Sequence, residues 1–147
     1  MIRFRPATRD DIPAIMALLA DDMLGKTREM PDPASYYAAF DAISDEPQNM
    51  VYVGEQAGQV VATYQLTIIS GLSLSASRRA QIEAVRVDAS LRGQGVGATL
   101  MVDAERRACD AGAKLVQLTS NAAREDAHRF YERLGYAPSH IGFKKKL

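Results

Sequence analysis

The sequence contains little of what would direct a chain to an oxidising compartment, a membrane or a nucleic acid. Its one cysteine, Cys109, leaves no partner in the 147 residues for an internal disulfide, which is typical of a reducing compartment. No hydrophobic run is long enough to span a membrane, and Met1–Arg5 lacks the apolar core of a signal peptide. The 18 basic residues balance the 18 acidic ones, so charge gives no general affinity for nucleic acids or membranes. We therefore expect a cytoplasmic protein that binds neither.

The sequence does contain enough apolar residues, 47% of the chain, to bury a proper core. It shows no internal repeat and no linker, so the prediction is a single domain over residues 1–147. Alternating and β-rich runs predict strands at Ile2–Arg5, Met50–Glu55, Val60–Ile69, Ala80–Val87 and Lys114–Ser120, with one or two closing strands in Tyr136–Leu147. We expect no metal site.

Helices are predicted between these strands. The first is capped by Thr8 and ended by Gly25, and its apolar face contains Ile12, Ile15, Met16, Leu19 and Met23. Pro31 and Pro33 frame the connection to a second helix at Ala34–Ile43. Two more are predicted, one from a glycine-rich turn to about Ala111 and one at Arg124–Leu134. The order β-α-α-β-β-β-α-β-α-β predicts one three-layer α/β domain.

The most informative segment is Val87–Gly97, in which a strand end and a glycine-rich turn open directly into a helix. Gly93, Gly95 and Gly97 remove side chains where an anion must approach the backbone. The helix N-terminus adds a partial positive charge worth roughly 0.3–1 kcal/mol, and Arg92 adds a full one. The turn is therefore predicted to bind phosphate.

Two commoner phosphate loops do not fit. Gly93–Ala98 satisfies the loose dinucleotide pattern G-x-G-x-x-G/A, but Asp88–Arg92 separates the strand from the first glycine. The next strand ends in Thr119-Ser120-Asn121 rather than in an acidic residue, and about 30 residues are too few for the rest of a doubly wound sheet. No Lys-Ser/Thr pair follows the last glycine, which excludes a P-loop.

The segment Arg92–Gly97 instead matches Arg/Gln-x-x-Gly-x-Gly/Ala and resembles the acyl-coenzyme A loop of the GNAT superfamily of N-acetyltransferases. Ala127–Tyr136 resembles the family's second landmark, a helix carrying tyrosine followed by leucine, glycine and an aromatic. Ala89 stands where the family often has proline. The resemblance is strong over Ile82–Tyr136.

This resemblance implies a GNAT-like α/β domain with a mixed central sheet, in which a splayed strand pair holds acetyl-CoA as co-substrate. The pantetheine arm would pair with the backbone of Val85 and Val87. The residues implied in cofactor binding are Val85, Val87, Arg92, Gly93, Gln94, Gly95, Val96, Gly97, Arg124 and His128. Arg124 stands where many members have asparagine, and an arginine there would reach a cofactor phosphate or a substrate carboxylate instead.

An amine that attacks a thioester must be neutral, yet an alkyl amine with a pKa near 10 is uncharged only about one time in a thousand at pH 7. Glu83, four residues before Val87 in an apolar strand, is the predicted general base, acting directly or through water. The alternative is that Glu83 only pairs with Arg78, Arg79 or Arg86.

Tyr131 matches the family's general acid by position, and its phenol would protonate or hydrogen-bond the departing thiolate. The alternative is a core aromatic beside Phe130. His128 lies three residues earlier on nearly the same helical face. It would orient Tyr131, contact the cofactor or simply lie on the helix surface.

The sequence thus predicts an N-acetyltransferase that moves an acetyl group from acetyl-CoA to a primary amine by direct attack in a ternary complex. The amine would contact the first two helices and the loop between Ile69 and Arg79, where acidic residues suit a cation or merely cover exposed helices. Two alternatives remain, a non-catalytic acyl-CoA-binding regulatory module and a toxin-like enzyme acetylating charged tRNA. The zero net charge speaks against the second. A homodimer is a further expectation.

Overall fold

The computed structural model describes residues 1–22, 25–29 and 32–147. They form two compact units, Met1–Gln117 and Leu118–Leu147. Two residues placed by the sequence analysis, Met23 in the first helix and Pro31 after it, lie outside the described residues. Within the described residues, the structure contains no helix with the length and apolar character needed to cross a membrane.

The first unit consists of a sheet and helices on its two faces. Its strands are β1 (Arg3–Pro6), β2 (Asn49–Gln56), β3 (Gln59–Ile69), β4 (Arg79–Val87) and β5 (Leu115–Gln117). Its helices are α1 (Ile12–Ala20), α2 (Gly25–Arg28), α3 (Pro33–Ser44), α4 (Ser73–Ala76) and α5 (Val96–Asp110). The strands lie in the order β1-β2-β3-β4-β5, antiparallel except for the parallel pair β4–β5. The predicted α/β class with a mixed sheet is confirmed.

Successive residues of β2 point to opposite faces of the sheet and identify the layers. Val53 is fully buried against Ile12 and Ile15 of α1, with α3 aromatics packed around them. The neighbouring Tyr52 turns the other way and lies under the guanidinium of Arg107 in α5, whose carbon is 4.2 Å from the ring centre. We call these two sides the α1 face and the α5 face.

A buried hydrogen-bond network links α5 to the sheet. The hydroxyl of Tyr64, a fully buried residue of β3, donates to Asp103 Oδ2 at 2.6 Å, and Arg107 Nε donates to the same oxygen at 2.8 Å. Burial and the bond to Asp103 raise the pKa of Tyr64. Burial also acts to raise the pKa of Asp103, but hydrogen bonds from Arg107, Tyr64 and Arg106 outweigh it and lower that pKa. The phenol therefore stays neutral and the carboxylate ionised.

The segment Gln56–Gln59 between two β-rich runs predicts a hairpin, and the structure confirms it as the turn between β2 and β3. Gln56 pairs with Gln59, and the two residues between them, Ala57 and Gly58, have φ values of 51° and 77°. Two consecutive positive φ angles define the type I′ turn that suits a two-residue hairpin.

The first helix ends earlier than predicted. It stops at Ala20 rather than at Gly25, and Gly25 instead begins the short helix α2. The physical reason lies in Asp21 and Asp22, whose side chains turn toward arginines of the β4 region instead of continuing the helix.

The second unit contains one helix, α6 (Glu125–Arg133), close to its predicted position. The closing strand expected in Tyr136–Leu147 is wrong, because the described residues after Arg133 contain neither helix nor strand. A strand needs a partner edge, and within this unit no described segment is a strand. Ile141 and Phe143 are 82% and 92% exposed as a result.

Asp11 links β1 to the start of α1 and gives the fold a pH-dependent contact. Its two carboxylate oxygens accept from Arg5 Nη1 at 2.7 Å and Nη2 at 2.9 Å, and Oδ2 also accepts from the Thr8 N–H at 2.7 Å. The hydrogen bonds from Arg5 lower the pKa of Asp11, against the opposing effect of burial. The carboxylate therefore stabilises the fold above the unfolded pKa of about 3.9, and this contribution is lost as the pH falls through the folded value.

We expect Asp11→Asn to lower the free energy of unfolding at pH 7 by about 1–3 kcal/mol, because the variant loses charge-assisted hydrogen bonds. The difference from the wild type should shrink as the pH falls from about 4 through the lowered pKa of Asp11, because the wild-type carboxyl then becomes protonated in the folded state as well. Urea unfolding at a series of pH values measures it. Asp10→Asn, at an exposed position in the same turn, is the control and should change little. A difference independent of pH would contradict the role given to the carboxylate.

Candidate active site

Strand β4 contains a bulge next to Glu83. Thr63 pairs with Arg86 and Gln65 pairs with Glu83, so Ala84 and Val85 together oppose the single residue Tyr64. Ala84 has a φ of 53°, which is rare for a residue other than glycine and is typical of a bulged strand under strain. Such strain is often found at functional sites.

The bulge decides which way the charged side chains of β4 point. Without it, Glu83 and Arg86 would lie on opposite faces, since they are three residues apart. Their partners, Gln65 and Thr63, are two residues apart in β3, so both charges lie on the α1 face. Glu83 is exposed and forms no ion pair with a described residue of the first unit. The alternative, in which Glu83 only pairs with a neighbouring arginine, is therefore not observed within the first unit.

Arg86, in contrast, is deeply buried. Its side chain is 8% exposed, and its Nε lies 3.0 Å from Oδ2 of Asp22, which is 13% exposed. Its Nη1 also donates to the carbonyl oxygen of Val85 at 2.9 Å. This ion pair thus links the segment after α1 to the residue of β4 that directly follows the bulge.

The glycine-rich turn has the geometry of an anion site. Asp88 begins it by accepting from the N–H of Ser90 at 2.9 Å and from its hydroxyl at 2.6 Å, and these bonds lower the pKa of Asp88. Gly93 and Gly95 have φ values of 76° and 81°, and nothing lies within 4 Å of where a Cβ would stand. Both positions are open to an approaching ligand.

The helix that follows presents its backbone donors at this turn. The first intrahelical bond joins the N–H of Thr99 to the carbonyl of Gly95, so the N–H groups of residues 96–98 lie ahead of the helical ladder. Val96 is buried, which leaves only its backbone for a ligand. This open cradle with converging donors fits the phosphates of acetyl-CoA.

Two side chains of the turn have partners within the protein. Arg92 Nη2 donates to the backbone oxygen of Asp21 at 2.8 Å and lies 3.5 Å from its carboxylate, while both side chains are about half exposed. Gln94 Nε2 donates to the carbonyl of Ser90 at 2.8 Å. Arg92 therefore lies between the end of α1 and the phosphate turn.

Strands β4 and β5 pair over a short distance only. The ladder joins Arg79–Gln81 to Leu115–Gln117 and ends there, whereas β4 continues to Val87. Val85 and Val87, predicted to face the pantetheine arm, lie in this continuation and are half-buried. The arrangement agrees with a strand pair that separates toward the phosphate turn.

In the second unit, Arg124 is the N-cap residue of α6 and His128 lies in the first turn of that helix. The His128 N–H donates to the Arg124 carbonyl at 3.1 Å, and His128 Nε2 donates to the carbonyl of Asn121 at 2.8 Å. Asn121 in turn accepts from the N–H of Ala123 through its side chain at 2.9 Å. The imidazole thus bonds to a backbone carbonyl of the loop just before the helix begins.

Tyr131 lies one turn further along α6 and is half-buried. Its ring packs edge-on against Phe130, at 5.1 Å between ring centres, and against Tyr136, at 5.9 Å. These contacts hold the phenol inside an aromatic cluster of its own unit.

The first unit therefore brings together most of the residues predicted for the site, namely Glu83, Val85, Val87 and the turn Arg92–Gly97. Arg124, His128 and Tyr131 belong to the second unit. Sequence reasoning missed the bulge and the Asp22–Arg86 pair. A signal for the bulge was present, because the apolar alternation of β4 changes phase between Ile82 and Val85.

Comparison with known proteins decides the family. The family model described as Acetyltransferase (GNAT) family matches residues 12–136. The chain belongs to the GNAT family. The aminoalkylphosphonate N-acetyltransferase of Salmonella typhimurium is 33% identical to this GNAT protein over 143 residues, which cover 97% of this chain and 90% of that one. Together these findings show an acyl-CoA-dependent N-acetyltransferase.

Solved structures agree with the GNAT fold. A transcriptional regulator from Bacillus halodurans C-125 superposes with a TM-score of 0.95 at 39% identity, covering 100% of both chains. An acetyltransferase of Clostridium acetobutylicum, solved with acetyl-CoA, superposes with a TM-score of 0.77 at 14% identity, covering 99% of this chain and 96% of that one. At that identity the second likeness shows the fold alone.

Proposed function

We propose that this GNAT protein transfers an acetyl group from acetyl-CoA to the primary amine of a small aminoalkylphosphonate, by direct attack in a ternary complex. The observation that carries the proposal is Glu83, an exposed carboxylate immediately before a strained bulge, on the strand that leads into the phosphate turn. The acceptor class is suggested by the Salmonella typhimurium relative, which is named for that substrate.

The donor side is supported by the turn Arg92–Gly97 and by β4. The N–H groups at the start of α5 and the Arg92 guanidinium would hold the phosphates, while the backbone of Val85 and Val87 would pair with the pantetheine arm. Bound acetyl-CoA supplies a thioester carbonyl as electrophile and a thiolate as leaving group. Arg124 and His128 are proposed as further contacts on the basis of the sequence resemblance.

The acid–base chemistry is assigned to two side chains. Glu83 would accept the proton of the acceptor's ammonium group, directly or through water, so that the nitrogen lone pair becomes available. Tyr131 would donate its phenolic proton, or a hydrogen bond, to the departing sulfur. The role of Glu83 is supported by its exposure beside the bulge, and that of Tyr131 by its match to the family's tyrosine.

Calorimetric titration with acetyl-CoA, followed by thiol release with a panel of primary amines, tests the proposal. We expect acetyl-CoA to bind and 2-aminoethylphosphonate to be acetylated with a higher kcat/KM than simple alkyl amines. Acetyl-CoA binding with turnover on a different amine class would replace the acceptor, and an absence of acetyl-CoA binding would overturn the donor site.

Glu83→Gln is expected to lower kcat by about 100-fold, because an amide cannot accept the proton and general base catalysis contributes about that much or more. The Kd for acetyl-CoA should change by less than about threefold, since the proposed contacts of the donor lie elsewhere. Steady-state kinetics and calorimetry on the same preparation measure both. At higher pH, where more of the amine is neutral, the deficit of the variant should narrow.

Tyr131→Phe is the companion variant and removes only a hydroxyl. It should lower turnover while leaving the affinity for acetyl-CoA intact. Asp110→Asn serves as a control for the loss of one surface charge, because Asp110 is exposed at the C-terminal end of α5. Wild-type turnover in Glu83→Gln would remove Glu83 from the mechanism, and wild-type turnover in Tyr131→Phe would remove Tyr131.

A second function, an acyl-CoA-binding regulatory module without catalysis, is favoured by one observation. The Bacillus halodurans protein that is 39% identical is described as a transcriptional regulator. Binding of acetyl-CoA without thiol release on any amine would support this alternative. Turnover that depends on Glu83 would exclude it.

A further inference from the structure

The α1 face of the sheet is polar where it passes Glu83. Residues paired across strands share a face, and Glu83, Gln81 and Arg79 pair with Gln65, Thr67 and Ile69. We call the following residues the polar row: Gln65 and Thr67 in β3, Arg79, Gln81 and Glu83 in β4, and Gln117 in β5. A face buried under helices would present apolar side chains, as Val53 does beneath α1. The row is therefore suited to a polar ligand.

Hydrogen bonds within the sheet fix several of these side chains. Gln65 Nε2 and Thr67 Oγ1 both donate to Asn49 Oδ1, at 2.9 and 3.0 Å. Gln117 Nε2 donates to Gln81 Oε1 at 2.8 Å across the β4–β5 pair. The row is consequently an ordered surface rather than a set of independent side chains.

The two charged members stand at opposite ends of the β4 part of the row. Glu83 is an exposed carboxylate. Arg79 forms no ion pair with a described residue, and its Nε is buried without a hydrogen-bond partner among the described residues. No carboxylate among the described residues offsets the charge of this guanidinium, and an anionic ligand would supply that partner.

The spacing of Arg79 and Glu83 along β4 suits a short zwitterion. Arg79 and Glu83 are four residues apart, which is about 13 Å along a strand that rises about 3.3 Å per residue. A two-carbon aminophosphonate spans about 5 Å from nitrogen to phosphonate oxygen, and a charge-assisted hydrogen bond adds about 2.8 Å at each end. The ligand with its two hydrogen bonds, about 11 Å in all, is therefore comparable with the distance along the strand between the two residues.

We propose that Arg79 is the anion-recognition residue of the acceptor site, binding the phosphonate while the amine lies at Glu83. The guanidinium offers two parallel N–H donors to two phosphonate oxygens, and the amides of the polar row flank the chain between the ends. This inference rests on the function proposed above and adds the residue that selects a phosphonate-bearing amine over a neutral one.

Arg79→Gln tests the inference with 2-aminoethylphosphonate, O-phosphoethanolamine and ethanolamine as acceptors. We expect kcat/KM for 2-aminoethylphosphonate to fall by at least about 30-fold and that for ethanolamine by less than about threefold, because only the anionic acceptor loses a partner. O-phosphoethanolamine shows whether phosphate esters share the site. Arg78→Gln is the matched control, since the neighbouring Arg78 is exposed and donates to the Ala111 carbonyl at 2.7 Å.

Equal losses for 2-aminoethylphosphonate and ethanolamine, or no loss for either, would overturn the role of Arg79. Arg79→Lys keeps the positive charge but lacks the two parallel N–H donors of arginine, so it should retain part of the preference for 2-aminoethylphosphonate over ethanolamine. This variant also separates the loss of the contact from a folding defect in Arg79→Gln. If the wild type acetylates none of the amines, the proposed function fails, and calorimetric binding of 2-aminoethylphosphonate then decides the subsite. Binding lost in Arg79→Gln supports it, and binding that is absent or unchanged by the substitution contradicts it.

Discussion

Gly95→Glu is expected to weaken the binding of acetyl-CoA by at least about 100-fold, or about 3 kcal/mol. Gly95 has a φ of 81° and precedes the first residue of α5, at the point where the backbone donors of the turn converge. A side chain there would fill the space through which a phosphate approaches, and a carboxylate would repel it. Calorimetric titration with acetyl-CoA measures the loss.

Backbone strain must be separated from the loss of the site. A residue other than glycine in the left-handed region costs roughly 1–2 kcal/mol, so Gly95→Glu will also reduce stability. Gly58→Glu is a matched control, because Gly58 has a similar φ of 77° and equally open surroundings but lies in the β2–β3 hairpin turn. It should lose comparable stability and keep its affinity for acetyl-CoA. Similar affinities in both variants would contradict the assignment of the turn.

Asp22→Ala is expected to lower the free energy of unfolding by about 3–5 kcal/mol, the usual effect of breaking a buried ion pair. The guanidinium of Arg86 stays buried on the α1 face when the carboxylate 3.0 Å from its Nε is removed, so its charge loses this partner. Urea unfolding at pH 7 measures the change, with the slope against urea checking that both proteins expose the same surface.

Two further variants bear on the ion pair. The double change Asp22→Leu with Arg86→Met replaces it by apolar groups and should recover most of the lost stability. Asp110→Asn removes a carboxylate from an exposed pair with Arg106 and should cost less than about 1 kcal/mol. A loss below 1 kcal/mol in Asp22→Ala would mean that the pair contributes little.

The consequences of the Asp22–Arg86 pair for the site differ from its consequences for stability. Arg86 holds the carbonyl of Val85, one of the two residues in the bulge, so the pair supports the backbone next to Glu83. The preceding residue, Asp21, contacts Arg92 of the phosphate turn. Two consecutive aspartates at the end of α1 thus join this helix to both parts of the candidate active site.

Much of the fold was predictable because it depends on local patterns. The hairpin at Ala57–Gly58 follows from a turn sequence between two β-rich runs, and α3 (Pro33–Ser44) lies where the sequence predicts a helix at Ala34–Ile43. The end of α1 was not predictable, because Asp21 and Asp22 turn toward arginines more than 60 residues away in the sequence. The expected closing strand failed because alternating residues alone do not supply a neighbouring edge.

The sequence by itself determined the chemistry available to this protein. The turn Arg92–Gly97 and the helix with Tyr131 carry motifs whose residues are adjacent in the chain, so their local geometry and their family follow from the sequence. Tertiary structure alone decided that Glu83 and Arg86 share the α1 face and that Asp22 meets Arg86. The reason is that a strand's period of two fixes only which residues alternate, whereas the bulge and the pairing register between distant segments fix the face on which each charge lies.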